Sequence, residues 1–379
     1  MRVLHVINSL GASGGAENGM VREIASFSDG FEHRVVRLFE KDQLDAKLEA
    51  SGISVIPLGF SSSRAGWNWP LAARRLARVA NEFGPDVIHS SLFSANLVAQ
   101  LTGRQTGVPV LSTFTLSGDV ALLKMYQPGA DSWRGAALRQ FAKLGTKASN
   151  ASFRALTHDA LITNCRLLGV DPGRGSVIPR GIPGDLRPTF RKDRADLGLP
   201  EDVPLLVNIG RQTAQKGQLT LLEAFRIIRE SVPSYLIMLG RPGDASDALR
   251  QEINERDLAD DVSIVGYSPD VFHYLDHASV FVFPSYMEGL GTAVIEAMSF
   301  GVPVVAFDIP PVREITDDGR FARLVPVGDA AMFAEQVLDI LHLDGVRNQE
   351  AEKWVASNYS IGSVARRLEK LLKVVAGRG

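Results

Sequence analysis

Short apolar runs alternate with longer amphipathic stretches along nearly the whole of this chain, and the alternation restarts once. In the first half, Arg2–Asn8, His33–Phe39, Ile53–Leu58, Asp86–His89, Val108–Phe114, Ala160–Thr163 and Ser176–Pro179 have the length of buried strands. Ala16–Ser28, Pro70–Phe83 and Ser94–Thr106 lie between them with helical spacing. A stretch rich in Gly and Pro, Arg180–Pro188, breaks the pattern and reads as a linker. Strands are then expected at Pro204–Ile209, Tyr235–Gly240, Val262–Val265, Val280–Pro284, Val302–Phe307 and Ala322–Val325. Helices are expected at Leu219–Val232, Ala245–Asp257, Ala293–Phe300, Ala330–Leu343, Val346–Asn358 and Ser363–Val375. Strand and helix in alternation predict an α/β fold. Two Rossmann-like, doubly wound parallel-sheet domains, residues 1–184 and 185–360, would face a central cleft, with a C-terminal helix over 361–379. Ligands of such sheets bind beyond the carboxyl ends of the strands, so the loops after the strands are the places to examine.

Composition narrows the class. The chain has 379 residues, 45% hydrophobic and 22% charged, which suits two globular domains. No apolar run reaches the length of a membrane span, and the N-terminal run is too short for a signal peptide. The single Cys165 excludes an internal disulfide framework and a cysteine metal site, and suits a reducing cytoplasm. Net charge is −2, but residues 1–184 hold 20 Lys and Arg against 14 Asp and Glu, leaving the remainder acidic. No nucleic-acid-binding motif accompanies that basic half.

Three loops carry candidate chemistry. After the first strand, Gly11-Ala-Ser-Gly14-Gly15-Ala16-Glu17 lets backbone approach a ligand at a helix start, which suits a diphosphate or simply a tight turn. It lacks the spacing of the dinucleotide fingerprint. After the first strand of the second half, Gly210-Arg211 and Lys216-Gly217 set an Arg fork and a flexible Lys before a helix. The pair suits a diphosphate leaving group, or is solvated surface charge. The third loop, Glu288-Gly289-Leu290-Gly291-Thr292-Ala-Val-Ile-Glu296, follows an apolar strand and opens a helix ended by Gly301 and Pro303. Its two carboxylates could accept from sugar hydroxyls while the glycines leave amides free.

The block E-G-L-G-x-A-x-x-E-A-M followed by G-V-P-V-V-A resembles the signature of retaining glycosyltransferases of family 4, which have the GT-B architecture. Gly14-Gly15-Ala16-Glu17 resembles that family's G-G-x-E loop, and Gly210-Arg211 with Lys216-Gly217 its G-R…K-G element. Val177–Ile182 is similar to the segment at its domain junction. The resemblance implies a nucleoside-diphosphate sugar donor, UDP- or GDP-linked, a glycan or lipid-linked acceptor, and no metal or other cofactor. Arg211 and Lys216 would bind the diphosphate, Glu296 the ribose, and Glu288 a hydroxyl of the transferred sugar. Gly289, Leu290, Gly291 and Thr292 would line that sugar, with Gly210 beneath and Gly15 approaching the phosphate. The N-terminal domain would take the acceptor, and the last helix would pack back upon it.

Departures fall in the N-terminal half and after the signature. Thr115 stands where many members carry a His that contacts the donor, with Asp119 close behind as a second candidate contact. Arg180 replaces an Asn, and Ile309-Pro-Pro-Val-Arg-Glu314 replaces G-G-x-x-E. His89 ends a strand and is either a substrate contact or a structural histidine. No nucleophile or His–Asp pair is evident, which suits a same-face transfer in which the leaving diphosphate takes the acceptor proton. The stretch Lys124–Lys147, with Arg134, Arg139 and Lys143 beside Trp133 and Phe141, reads as ordinary helix faces or as an anionic-membrane contact. Arg64–Trp69 with Arg74, Arg75 and Arg78 reads the same way. A catalytically silent sugar-nucleotide-binding homologue, a sugar-nucleotide epimerase and a nicotinamide oxidoreductase are the rival classes.

Overall fold

The computed structural model describes residues 1–11, 15–61, 68–126, 132–343 and 346–378. They form two compact units, one of Met1–Gly181 with Ile361–Gly379 and the other of Ile182–Ser360. In the first, β1 (Arg2–Ile7), β2 (Glu32–Phe39), β3 (Ser54–Phe60), β4 (Val87–Ser91), β5 (Val110–Phe114), β6 (Ser152–Ala155) and β7 (Gly175–Val177) make a parallel sheet in the order β3-β2-β1-β4-β5-β6-β7. Its helices are α1 (Gly15–Ile24), α2 (Asp45–Glu49), α3 (Trp69–Phe83), α4 (Phe93–Thr106), α5 (Val120–Tyr126), α6 (Trp133–Lys147) and α7 (His158–Leu168). The central strands β4 and β5 are buried at every residue, as a sheet covered on both faces requires.

The second unit repeats the plan with β8 (Leu205–Ile209), β9 (Tyr235–Leu239), β10 (Val262–Gly266), β11 (Val280–Phe283), β12 (Val304–Phe307) and β13 (Arg323–Val325). The order is β10-β9-β8-β11-β12-β13, again all parallel. Around the sheet lie α8 (Gln218–Ser231), α9 (Ser246–Glu255), α10 (Val271–His277), α11 (Thr292–Ser299), α12 (Pro310–Ile315), α13 (Ala330–Leu341) and α14 (Gln349–Asn358). The last helix, α15 (Ile361–Val375), belongs to the first unit. Its Leu368 and Leu372 are buried against Val3, Val87 and Leu111, and its Glu369 accepts from the Ser28 amide and hydroxyl at 2.6 and 2.9 Å.

One expected strand is a helix. Ala160–Thr163 lies inside α7, where Ala160, Leu161, Cys165 and Leu168 are buried at helical spacing and Thr157 caps the start through the Ala160 amide at 3.2 Å. The strand comes earlier, at Ser152–Ala155, and includes an arginine. Arg154 is buried there because Glu23 of α1 meets its guanidinium with both carboxylate oxygens, at 2.6 and 2.9 Å.

Candidate functional site

Each sheet has one place where the strand order turns back on itself, so that the loops on either side diverge and leave a crevice. In the second unit this falls between β8 and β11, which are adjacent in space. The loops that follow them carry the G-R…K-G and E-G-L-G motifs. Gly217 has φ +65°, and a Cβ there would stand 1.9 Å from the Pro284 carbonyl oxygen, so glycine alone lets the loops touch. The Tyr286 amide donates to the Gln215 carbonyl at 2.8 Å and stitches them together. Gly240, after β9, leaves room for the Gly210 carbonyl in the same way.

Polar side chains brace this crossing from below. Gln218 donates to Asn208 Oδ1 at 2.9 Å and to the Gly210 carbonyl at 3.2 Å, and Asn208 donates to the Val282 carbonyl at 2.8 Å. Asn208, Gln212 and Gln218 are all buried. The Oε1 atoms of Gln212 and Gln218 have no donor among the described residues.

Over this frame Lys216 Nζ donates to Glu288 Oε1 at 2.5 Å, and the same ammonium lies 5.8 Å from the Phe283 ring centroid. The two charges stand 72 residues apart in sequence, and Glu288 is only 8% exposed. Arg211 is exposed, and its guanidinium has no partner among the described residues. Gly289, Leu290 and Gly291 are buried, while Thr292 and Glu296 of α11 are half-buried. Gly291 packs under Ile315 and Val312 of α12. Both α8 and α11 begin at a left-handed glycine with no side-chain cap, so their first amides remain available to an incoming acceptor. Uncapped helix starts, an exposed guanidinium and a carboxylate-held ammonium suit an anion flanked by hydroxyl groups.

In the first unit the order turns between β1 and β4. Gly15 opens α1 with open space where a Cβ would be, and Gly14 lies outside the described residues. At the end of β4, Leu92 has φ +78° and ψ 154°, a conformation costly for any residue but glycine, and Asn8 Oδ1 accepts from the Ala95 amide at 2.9 Å beside it. Thr115 is half-buried just past β5.

The side-chain geometry bears on two candidate contacts in this unit, and it favours the structural alternative for His89. His89 is not at an open strand end. It is 1% exposed, with Nδ1 3.2 Å from His5 Nδ1 and Nε2 3.0 Å from Thr113 Oγ1. His5 Nε2 continues the chain to His33 Nδ1 at 3.0 Å. Burial pushes the His89 imidazole down to about 3, with the Arg154 charge adding to the effect, and His33 down to about 4, again chiefly by burial. Asp119 is exposed, but its Oδ1 caps α5 by accepting from the Ala121 and Leu122 amides at 2.8 and 3.3 Å.

Sequence reasoning missed a buried charge cluster in this unit. Arg154 lies against Glu23, with Nε and a terminal nitrogen also donating to the Ile178 and Pro179 carbonyls at 2.9 and 2.6 Å. Arg180 lies buried nearby and donates to the Ala16 carbonyl at 2.7 Å. Burial works to raise the Glu23 carboxyl, but Arg154, through charge and hydrogen bonds, holds it below its ordinary value. The one available signal was Arg180 itself, standing where the family carries Asn.

The model of the glycosyl transferases group 1 family matches residues 189–361, and that of the glycosyl transferase 4-like domain matches residues 14–181. Between them they span the chain from residue 14 to residue 361 apart from 182–188, and the chain belongs to the group 1 glycosyl transferases. Lipopolysaccharide core biosynthesis glycosyltransferase LpsE of Rhizobium meliloti is 31% identical over 161 residues, 42% of this chain and 46% of that one. D-inositol 3-phosphate glycosyltransferase 2 of Catenulispora acidiphila is 28% identical over 296 residues, 68% of this chain and 62% of that one. The chain thus spans less than two thirds of the length of each of these curated relatives. Anabaena HepE, solved in complex with UDP and glucose, matches with a TM-score of 0.81 at 18% identity, covering 99% of this chain and 100% of that one. The fold is therefore GT-B, two Rossmann-like domains in one chain. Among the described residues no helix is long and apolar enough to cross a membrane.

Proposed function

We propose that the protein is a retaining, metal-independent glycosyltransferase that moves a sugar from a UDP- or GDP-linked donor to a hydroxyl of a glycan or lipid-linked acceptor, in the synthesis of a cell-surface polysaccharide or glycolipid. The observation that carries this is the Lys216–Glu288 pair, set between two uncapped helix starts where the strand order of the second unit reverses. In this reading Arg211 and Lys216 meet the charge that develops on the departing β-phosphate, helped by the amides that open α8 and α11. Glu288 orients Lys216 and accepts from a hydroxyl of the transferred sugar, and Glu296 accepts from the ribose. The leaving phosphate oxygen takes the acceptor proton, so no separate base is needed. The likeness to a glycosyltransferase fold solved with UDP, and to a relative named for lipopolysaccharide core synthesis, supports the donor and acceptor classes.

The test is a panel of UDP-, GDP- and ADP-sugars with purified protein, reading nucleoside diphosphate release with and without membrane extract. Release from one donor class, increased by the extract, is expected. Binding of a nucleoside diphosphate without turnover on any donor would favour a silent homologue, the reading kept open by Thr115. A response to NAD alone would reject the assignment.

On the acceptor side we propose that the first unit rests on an anionic membrane. Trp69 is buried with Phe93 at 6.1 Å and Phe141 stacked at 5.4 Å between ring centroids, which joins the starts of α3 and α4 to the middle of α6 in one patch. Leu71, Phe93, Phe141 and Leu144 are exposed around it. Arg74, Arg78 and Lys147 are exposed on the same helices, and neither α5 nor α6 contains an acidic residue. Apolar side chains among cations fit the headgroup boundary of an anionic bilayer. Arg64 and Trp67, and the side chains of Trp133 and Arg134, lie outside the described residues.

A further inference from the structure

We propose that Asn208 and Gln218 are positioning residues for the transfer, a pair of buried amides that fixes the spacing of Arg211 and Lys216. The assignment rests on the reading of those two cations as the pair that meets the donor diphosphate. Both amide side chains are 2% exposed, and Asn208 interrupts the otherwise apolar strand β8, Leu-Leu-Val-Asn-Ile. A leucine at that position would carry no desolvation penalty, whereas a buried amide costs stability unless its polar atoms are bonded. Asn208 and Gln218 therefore serve through the directional bonds they make.

Those bonds fall where the sheet opens. The paired register of β8 and β11 ends at Val207 and Phe281, so the Val282 carbonyl lies one step past that ladder. The Asn208 side chain donates to it at 2.8 Å and carries the joining of the two strands one residue further. Asn208 Oδ1 accepts from Gln218 Nε2 at 2.9 Å, and the same nitrogen donates to the Gly210 carbonyl at 3.2 Å. The Val282 and Gly210 carbonyls can only accept, which fixes the orientation of both amides. Gly210 opens the loop that carries both cations, and Gln218 directly follows its last residue, Gly217, so the Gln218 side chain ties the two ends of that loop together. The two ends are anchored on opposite sides of the strand. The Gly210 amide donates to the Leu239 carbonyl of β9 at 2.8 Å, while the Gln215 carbonyl accepts from the Tyr286 amide beyond β11 at 2.8 Å. With the tie cut, the loop is free to widen, and Arg211 and Lys216 lose the spacing in which they meet one diphosphate. A displacement of about 1 Å at such a contact costs about 10²-fold in rate.

The experiment measures nucleoside diphosphate release by the full chain on the donor that wild type turns over. No release by wild type would reject the transferase reading and this assignment with it; with wild-type release in hand, the variants test the pair alone. Q218M keeps the length of the side chain and removes its donor. It is expected to lower kcat about tenfold or more, with the donor KM changed by less than about threefold. Placed in K216A, the same substitution is expected to cost less than about threefold, because no second cation is left to hold in register. N208L/Q218M should fall no lower than the worse of its two single variants, since both cut one tie. Wild-type kcat in Q218M would overturn the assignment. So would an equal loss with and without Lys216, which would make Gln218 a support of the fold alone, and so would losses of N208L and Q218M that multiply. If Q218M does not fold, Q218N, which keeps the amide on a shorter arm, is carried through the same cycle with the same overturning results.

Discussion

Lys216 Nζ and Glu288 Oε1 lie 2.5 Å apart across the two loops that diverge at the strand-order reversal of the second unit. The pair places the cation proposed to receive a leaving phosphate under the control of the carboxylate proposed to hold the sugar. Removing either member should therefore lower turnover by about 10²-fold, the cost of losing one preorganised contact to developing charge. Groups that act as a unit lose function non-additively, so K216A/E288Q should be little worse than K216A alone. Single-turnover rates for the two single variants and the double variant decide this. Losses that multiply would show the two residues working independently.

Gly217 offers a test of the loop crossing that is separate from chemistry. G217A places a Cβ on the Pro284 carbonyl and also carries the cost of φ +65°. Gly198 has φ +66° with open space around it, so G198A carries the backbone cost alone. G217A is expected to lose roughly 2–4 kcal/mol and G198A about 1 kcal/mol. Chemical denaturation of the two variants gives the difference, and equal losses would mean that the loops can part without cost.

Much of this arrangement was legible in the sequence, and the misses have physical causes. Strands buried on both faces, such as Val280–Phe283 and Val304–Phe307, declare themselves as unbroken apolar runs. Ser152–Ala155 did not, because Arg154 breaks the run and the carboxylate that makes its burial tolerable lies 131 residues away. The apolar run Ala160–Thr163 then took its place in the reading, although Thr157 caps a helix there. His89 stayed open between contact and structural histidine because a strand-end histidine gives no sign of whether partners await it inside. The glycines around Lys216 and Glu288 marked both loops, but their contact depends on β8 and β11 being neighbours, which skips β9 and β10.

The His33–His5–His89 chain makes stability depend on pH in a definite direction. Each imidazole is held below its ordinary value of about 6.5, His33 at about 4 and His89 at about 3, with His5 well below. Around the chain, Glu369 of α15 favours a proton on His33 and Glu23 of α1 favours one on His89, while burial, the N-terminal ammonium, Arg154 and Arg180 oppose protonation along it. The unfolded chain binds protons that the native state refuses, so stability is full above about pH 6.5 and falls as pH drops below it. The slope approaches about 1.4 kcal/mol per pH unit for each histidine kept neutral. Denaturation midpoints between pH 7.5 and 5 should decline, and H89Q should flatten that decline. A midpoint constant over this range would show that the native chain protonates freely.

The apolar patch around Trp69 decides whether the acceptor is met at a membrane. Its indole Nε1 has no hydrogen-bond partner among the described residues, although the ring is buried against Phe93 and Phe141. The rings that reach solvent beside it are Phe93 and Phe141, which suit the apolar side of the headgroup boundary. Cations on α3 and α6 add about 1 kcal/mol each near an anionic surface, and that contribution is screened by salt. Binding to vesicles containing anionic lipid is therefore expected, with little binding to neutral vesicles. K143E/K147E should weaken it about tenfold or more, while F141D/L144D should weaken it at every salt concentration because it removes apolar insertion. Co-sedimentation measured across ionic strength separates the two contributions. Equal recovery of wild type and F141D/L144D with anionic vesicles would leave only electrostatic attraction and remove the patch as the docking face.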